Sequence, residues 1–158
     1  MQEGTSVKEG RIEILLPMRP YTKKNSQQIF VSKKSGKRFI HPSTQYTQYA
    51  HDCGYFLKPL GINYPINTEC RFYLPTRRTS DLTNLIEAVH DILQDYGVID
   101  DDNCRVIVSV DGSRVYYDKE NPRTELIITK ANPTFPEGGK GKPVKRNVRS
   151  GKTGKENK

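Results

Sequence analysis

The sequence predicts a small, single-domain α+β protein, and three observations carry that reading. The chain has 158 residues, enough for one domain with a real core and too few for two comfortable ones. Two stretches space their apolar residues as helices do. Between and around them lie short runs rich in β-branched and aromatic residues, bounded by Gly, Pro and Asn. Strand, hairpin, helix, strand, helix and further strands in that order indicate an α+β domain.

Taken in order, residues 1–10 read as a flexible end, and Arg11 to Leu16 (RIEILL) as a strand stopped by Pro17. Gln28 to Val31 and Lys37 to Ile40 flank Lys34-Ser35-Gly36, the pattern of a hairpin with a short Gly-containing turn. Pro42-Ser43 offers an N-cap, after which Tyr46, Tyr49, Ala50, Cys53, Phe56 and Leu57 recur at helical spacing, for about four turns. Glu69 to Leu74 is a strand that delivers the chain to Pro75 and the pair Arg77-Arg78. The clearest helix follows: Leu82, Leu85, Ile86, Val89, Ile92 and Leu93 form one apolar stripe, and Gly97 sits where a helix ends. Cys104 to Val110 and Arg123 to Lys130 are β-branched strands that complete a domain spanning residues 11–136.

The formal net charge is +8, and its placement says more than its sum. Residues 137–158 hold eight Lys/Arg and two acids, so +6 of the +8 lies in a Gly- and Lys-rich tail with little to bury. Such a segment is expected to be disordered and to add salt-sensitive, sequence-independent affinity for a polyanion. Deleting it is expected to weaken non-specific binding and spare catalysis. The body is nearly neutral but segregated. From Glu13 to Asp52 no acid intervenes among Arg19, Lys23, Lys24, Lys33, Lys34, Lys37 and Arg38. From Asp81 to Asp102 there are seven acids (Asp81, Glu87, Asp91, Asp95, Asp100, Asp101 and Asp102) and no Lys or Arg. Such blocks are often surface patches that pair with each other. They also suit an enzyme that holds phosphates with one and metal ions with the other.

Several classes are excluded. No run approaches the roughly 18 apolar residues of a membrane span, and Glu13 and Pro17 interrupt the only apolar run near the start, so neither a membrane segment nor a signal peptide is expected. Cys53, Cys70 and Cys104 form no C-x-x-C pair, which argues against a disulfide framework or zinc ribbon and fits a cytoplasmic protein. An EF-hand starting at Asp100 fails because its sixth position is Arg105. A Walker loop at Gly151-Lys152-Thr153 fails because Arg146 stands where its first Gly belongs. No small-molecule cofactor is implied.

Three adjacent carboxylates, Asp100-Asp101-Asp102, exceed what a polar turn needs, and a divalent cation would relieve their repulsion. On the helix, Thr83, Glu87 and His90 border the apolar face, while Asn84, Asp91 and Asp95 lie toward solvent. Glu87 is therefore the helical carboxylate placed to face a cleft, although Asn84-x-x-Glu87 also fits a capping box. Asp81 and Asp102 flank opposite ends of the helix, and periodicity does not bring them together.

The string Ser80-Asp81-Leu82-Thr83-Asn84-Leu85-Ile86-Glu87-Ala88-Val89-His90-Asp91-Ile92-Leu93, followed by Gly97-Val98-Ile99-Asp100-Asp101-Asp102, resembles the signature of the RusA-type Holliday junction resolvases. That signature runs D-L-D-N-L-x-K-A-x-x-D-x-L, then G-V-x-x-D-D about ten residues later. The resemblance spans most of residues 11–130 and takes in a Lys/Asn loop at Lys24-Asn25. It implies a mixed sheet with two main helices, often phage- or prophage-borne, and a homodimeric, Mg²⁺-dependent endonuclease (Mn²⁺ being possible) that nicks branched DNA symmetrically. It further implies metal ligation by Asp81 and Asp102, with Asp101 as an acidic neighbour. Two positions depart: the family's second aspartate is Thr83 here, and its lysine is Glu87. Glu87 lies one helical turn from the lost carboxylate and is expected to take over its role. Lys23, Lys24, Asn25, Lys33, Lys34, Arg77 and Arg78 are the expected DNA contacts. The alternative is a non-catalytic binder of branched or single-stranded nucleic acid, and a nuclease acting on flaps or forks is a third reading.

Overall fold

The structure, a computed structural model, describes residues 4–23, 28–41 and 43–135. Its elements are β1 (Thr5–Lys8), β2 (Arg11–Leu16), β3 (Gln28–Val31), β4 (Arg38–His41), α1 (Thr44–Gly54), β5 (Ile66–Leu74), α2 (Leu82–Asp95), β6 (Ile107–Ser109), β7 (Arg114–Tyr117) and β8 (Arg123–Lys130). The main sheet runs β1-β2-β8-β5, with β6 and β7 both along the outer side of β5. Pairing is antiparallel from β1 through β5 and parallel for β6 and β7, so the sheet is mixed and the fold is α+β as expected.

β5 is the axis of the molecule. Its nine residues alternate, turning Ile66, Thr68, Cys70, Phe72 and Leu74 inward, and it pairs with β8 along most of its length. Ile12, Ile14 and Leu16 from β2 and Leu126 and Ile128 from β8 join the same face. Onto that face α2 lays Leu85, Ile86, Ala88, Val89, Ile92 and Leu93. Each fully buried aliphatic or aromatic side chain contributes about 1.5–3 kcal/mol, so the stripe read from the sequence fixes α2 against β5. His90 is buried with it and bonds Thr68 Oγ1 through Nε2 at 2.8 Å.

Four details correct the sequence reading. Residues 1–10 do not form a loose end throughout: β1 pairs with β2, Thr5 is buried, and its hydroxyl donates to the carbonyl of Phe56 at 2.6 Å. α1 is shorter than expected. Ser43 caps it, its Oγ accepting from the Tyr46 N–H at 3.1 Å, but after Gly54 the bonds tighten to an i to i+3 pattern before Pro59. Phe56 and Leu57 still pack on the core from that last turn. The strand expected from Cys104 begins only at Ile107, because Asn103 ties the intervening residues into a turn through its carbonyl and side chain. β7 was not expected, and its Val115-Tyr116-Tyr117 run after Gly112 was the available signal.

The hairpin β3–β4 forms as expected, as a separate two-stranded sheet. The tail from residue 137 lies outside the described residues. Cys53, Cys70 and Cys104 are free thiols, and burial pushes the first two up to about 12. Among the described residues no helix is long and apolar enough to cross a membrane.

Candidate active site

β5 and α2 run side by side in opposite senses, so the chain lays two different structures at their ends. At the first, β5 gives way to an exposed loop over residues 75–80, and Asp81 becomes the N-cap of α2, in extended conformation. Its side chain does not cap the helix backbone. Its Oδ2 instead accepts from Asn84 Nδ2 at 3.1 Å, and the residue is exposed. The helix therefore starts at Leu82, and a capping box on Asn84-x-x-Glu87 does not form. Glu87 sits in the second turn, where a capping role does not explain it.

Beside Asp81 a cleft of about 420 Å³ opens between the loop, α1 and the segment after β2. Arg19, Tyr21, Gln45, Arg78 and Ser80 line it, and among the described residues no carboxylate does. The Arg19 guanidinium lies 5.1 Å from the centre of the Tyr21 ring.

At the other end, Gly97 takes φ +70° and turns the chain out of α2. Val98 and Ile99 are buried, and the backbone is clamped to Gly61-Ile62 by three hydrogen bonds: Gly61 N to Gly97 O (2.9 Å), Ile62 N to Val98 O (3.0 Å) and Asp100 N to Ile62 O (3.0 Å). The three aspartates follow at once. Asn103 Nδ2 donates to Asp101 Oδ2 at 2.8 Å, and this bond, helped by backbone N–H groups, holds the Asp101 carboxyl below the usual range. Asp100 and Asp102 are exposed.

The two ends do not meet within one chain. The 14 residues of α2 rise about 21 Å between them. Among the described residues no three His, Cys, Asp or Glu side chains stand close enough to hold a metal ion. Carboxylate oxygens are the donors a hard divalent cation prefers, so the donor type fits such an ion while the set in one chain does not.

Between the ends, Glu87, Asp91 and Asp95 follow one stripe of α2 past Tyr46 of α1. Burial first, and then these three carboxylates, raise the Tyr46 hydroxyl well above its ordinary pKa. Asp91, expected in solvent, is half-buried and bonded to Lys23 Nζ at 2.7 Å. Lys23, expected on DNA, thus serves α2 and also lies 5.6 Å from the Tyr46 ring centre. Lys33 and Lys34 stand exposed at the turn of the β3–β4 hairpin. Lys24 and Asn25 lie outside the described residues. Arg77 and Arg78 are exposed beside Asp81, Arg77 over the Tyr117 ring at 5.1 Å and Arg78 in the cleft wall. The sequence reading counted Arg19 only as one charge of a block and passed over Tyr21; the Arg-Pro-Tyr spacing after a strand end was the signal.

The model of the endodeoxyribonuclease RusA family matches residues 17–129. The chain belongs to the RusA family of Holliday junction resolvases. The match covers β3 to β8, and with them both ends of α2 and the cleft beside Asp81. It begins just after β2 and stops before the basic tail. RusA-family membership makes nuclease chemistry, generally dependent on divalent metal, the frame in which these carboxylates are read. No curated protein matches the chain.

Proposed function

We propose that this chain is a Mg²⁺-dependent, structure-selective endodeoxyribonuclease that resolves four-way DNA junctions by paired nicks, and that its active site is shared between two copies. The observation carrying this is the length of α2, which keeps Asp81 and Glu87 about 21 Å or part of that distance from Asp101 and Asp102. In a C2 dimer with the two α2 helices side by side and antiparallel, the first end of each copy lies against the second end of the other. Two equivalent sites result, as two symmetric nicks require. Asp81 and Glu87 of one copy would then hold the ion with Asp101 and Asp102 of the other. Held there, Mg²⁺ or Mn²⁺ would supply Lewis-acid chemistry for hydrolysis at the scissile phosphate. Arg78 and Arg77 hold the flanking phosphates, and the basic hairpin tip positions a DNA arm without reading bases.

Mixing two dead variants tests the shared site. Asp81→Asn and Asp102→Asn homodimers each lose both sites. Their mixed dimer regains one site with every carboxylate and is expected to nick a single strand of the junction in Mg²⁺. A mixture as inactive as its parents would mean that each site belongs to one chain. Glu87→Gln tests the ligand swap separately: cleavage as fast as the parent at saturating Mg²⁺ would remove Glu87 from the site. The departures at Thr83 and Glu87 favour one other reading, a binder of branched DNA that does not cleave. A junction bound but left intact in both Mg²⁺ and Mn²⁺ would establish it.

A further inference from the structure

The cleft beside Asp81 does not end at Arg78. A second hollow of about 440 Å³ adjoins it, and Leu74, Thr76 and Arg78 line both. Its outer wall is the edge strand β7, through Val115, Tyr116 and Tyr117, and again no carboxylate among the described residues lines it. Tyr117 is 49% exposed with the Arg77 guanidinium over its ring, and Tyr116 is 37% exposed. Tyr116 is held from beneath. Its ring stacks on Tyr73 at 4.8 Å and 14°, Tyr73 lies 3.7 Å from the Arg123 guanidinium, and Arg123 is itself pinned by Asp118 and Glu125, each at 2.9 Å. Arg114 lies 5.7 Å from the Tyr116 ring centre.

We infer that β7 is a stacking platform for unpaired nucleotides, from which a DNA strand runs past Arg78 to Asp81. The charge of both hollows suits a phosphate backbone: Arg19, Arg77 and Arg78 line them, and among the described residues none of the three is in an ion pair. The tyrosines choose among DNA forms. A duplex keeps its base faces inside the stack, whereas an unpaired base presents a face to an aromatic ring or a guanidinium plane. At a branch point the stack is interrupted and the flanking base pairs open more readily than those inside a duplex, so this platform would select branched over continuous duplex DNA. The proposal deepens the nuclease reading by naming what reaches Asp81, but strand binding itself needs no metal and no cleavage.

The full-length chain is titrated in EDTA with a short oligo(dT) strand and, in parallel, with a fully paired duplex. Tyr117→Ala is expected to weaken the single strand by roughly five- to a hundredfold, the range for losing one base–aromatic stack, and the duplex by less than about twofold. Tyr117→Phe keeps the ring and is expected to bind as the parent does. Tyr117→Leu keeps bulk without a π-face and is expected to bind as the alanine variant does. Unchanged oligo(dT) affinity in Tyr117→Ala, equal loss on both DNAs, or a leucine variant that binds like the parent each overturns the platform. Melting temperatures of the three variants are read alongside, and a fall shared by Ala and Leu but not Phe, with oligo(dT) affinity intact, assigns the ring to packing and overturns it too. Because the titration contains no divalent ion, a chain that fails to cleave junctions can still show the platform, and a cleaving chain can still lack it.

Discussion

The two ends of α2 are opposites in charge and in backbone. The Asp81 end is an exposed loop whose surroundings are arginine and tyrosine, with one carboxylate placed among them. The Asp100 end is a tight turn on two left-handed glycines, Gly61 and Gly97, with three carboxylates in a row. One end gathers guanidinium groups and the other negative charge. Neither brings together three groups that could hold a metal ion among the described residues. A helix can divide a set of carboxylates as well as present one.

The largest expected effect joins the two ends. If both supply the same centre, Asp81→Asn and Asp102→Asn each lower the cleavage rate on the order of 10²–10³-fold, as losing one electrostatic contact to a transition state does. The double variant then loses little more, because groups acting as a unit are not additive. Single-turnover cleavage of a four-way junction measures all three. An Asp102→Asn variant that keeps most of the parent rate would reduce the acidic end to a surface patch and end the comparison.

The next effect concerns what holds the ends apart. His90 anchors the middle of α2 to β5 through Thr68, and burial pulls its pKa down from 6.5 to about 4. The unfolded chain therefore binds a proton that the folded chain refuses between those values. This part of the stability is intact above about pH 6.5, falls as the pH drops through the window, and stops falling near pH 4. The shift corresponds to roughly 3 kcal/mol. Urea unfolding of the parent and of His90→Gln at several pH values checks it, since glutamine cannot take the proton and flattens that window. An equally steep loss in the variant would assign the acid sensitivity to the carboxylates instead.

Much of this frame was legible in the sequence. α2, the two ends of its signature, Gly97 as its stop and the Ser43 cap all follow from local rules of period and capping, and the structure has each in place. What was not legible depends on contacts across the chain. β1 is held by Phe56, some fifty residues away, and no property of Thr5–Lys8 announces that. Lys23 looked like a free cation because its partner Asp91 is 68 residues on. The wall formed by Arg19 and Tyr21 next to Arg78 exists only once β2 and β5 share a sheet. Residues that act through sequence neighbours could be read. Residues that act through fold neighbours could not.

A smaller effect separates the ends by backbone. No residue of the Asp81 end needs a left-handed conformation, whereas Gly97 has φ +70° and carries the carbonyl that Gly61 N–H bonds. Gly97→Ala meets only ordinary contact with Pro59, at 3.5 Å, so its cost is the left-handed backbone, roughly 1–2 kcal/mol. Thermal melting is expected to show that loss. In the same variant, junction cleavage should suffer more than metal-free strand binding, since the acidic turn moves and the cleft does not. Equal loss of both would tie the ends more closely than their separation suggests.

The smallest effect asks which basic residues belong to the DNA side of the comparison. The sequence block between Glu13 and Asp52 treats Lys23 as equal to its neighbours, but the structure gives it to Asp91 at 2.7 Å. A partly exposed pair of this kind is worth about 0.5 kcal/mol, so Lys23→Ala should barely change the melting temperature. Its effect on DNA is more informative. A cation released to a phosphate lowers the slope of log affinity against log salt by about one when removed. Arg78→Ala is expected to show that drop, because Arg78 lines both hollows and among the described residues is in no ion pair. Lys23→Ala is expected to leave the slope unchanged, because its charge is already matched by a carboxylate. If both variants lose the same slope, the Lys23–Asp91 pair opens on DNA, and the basic side of the molecule extends from the cleft onto the acidic stripe of α2.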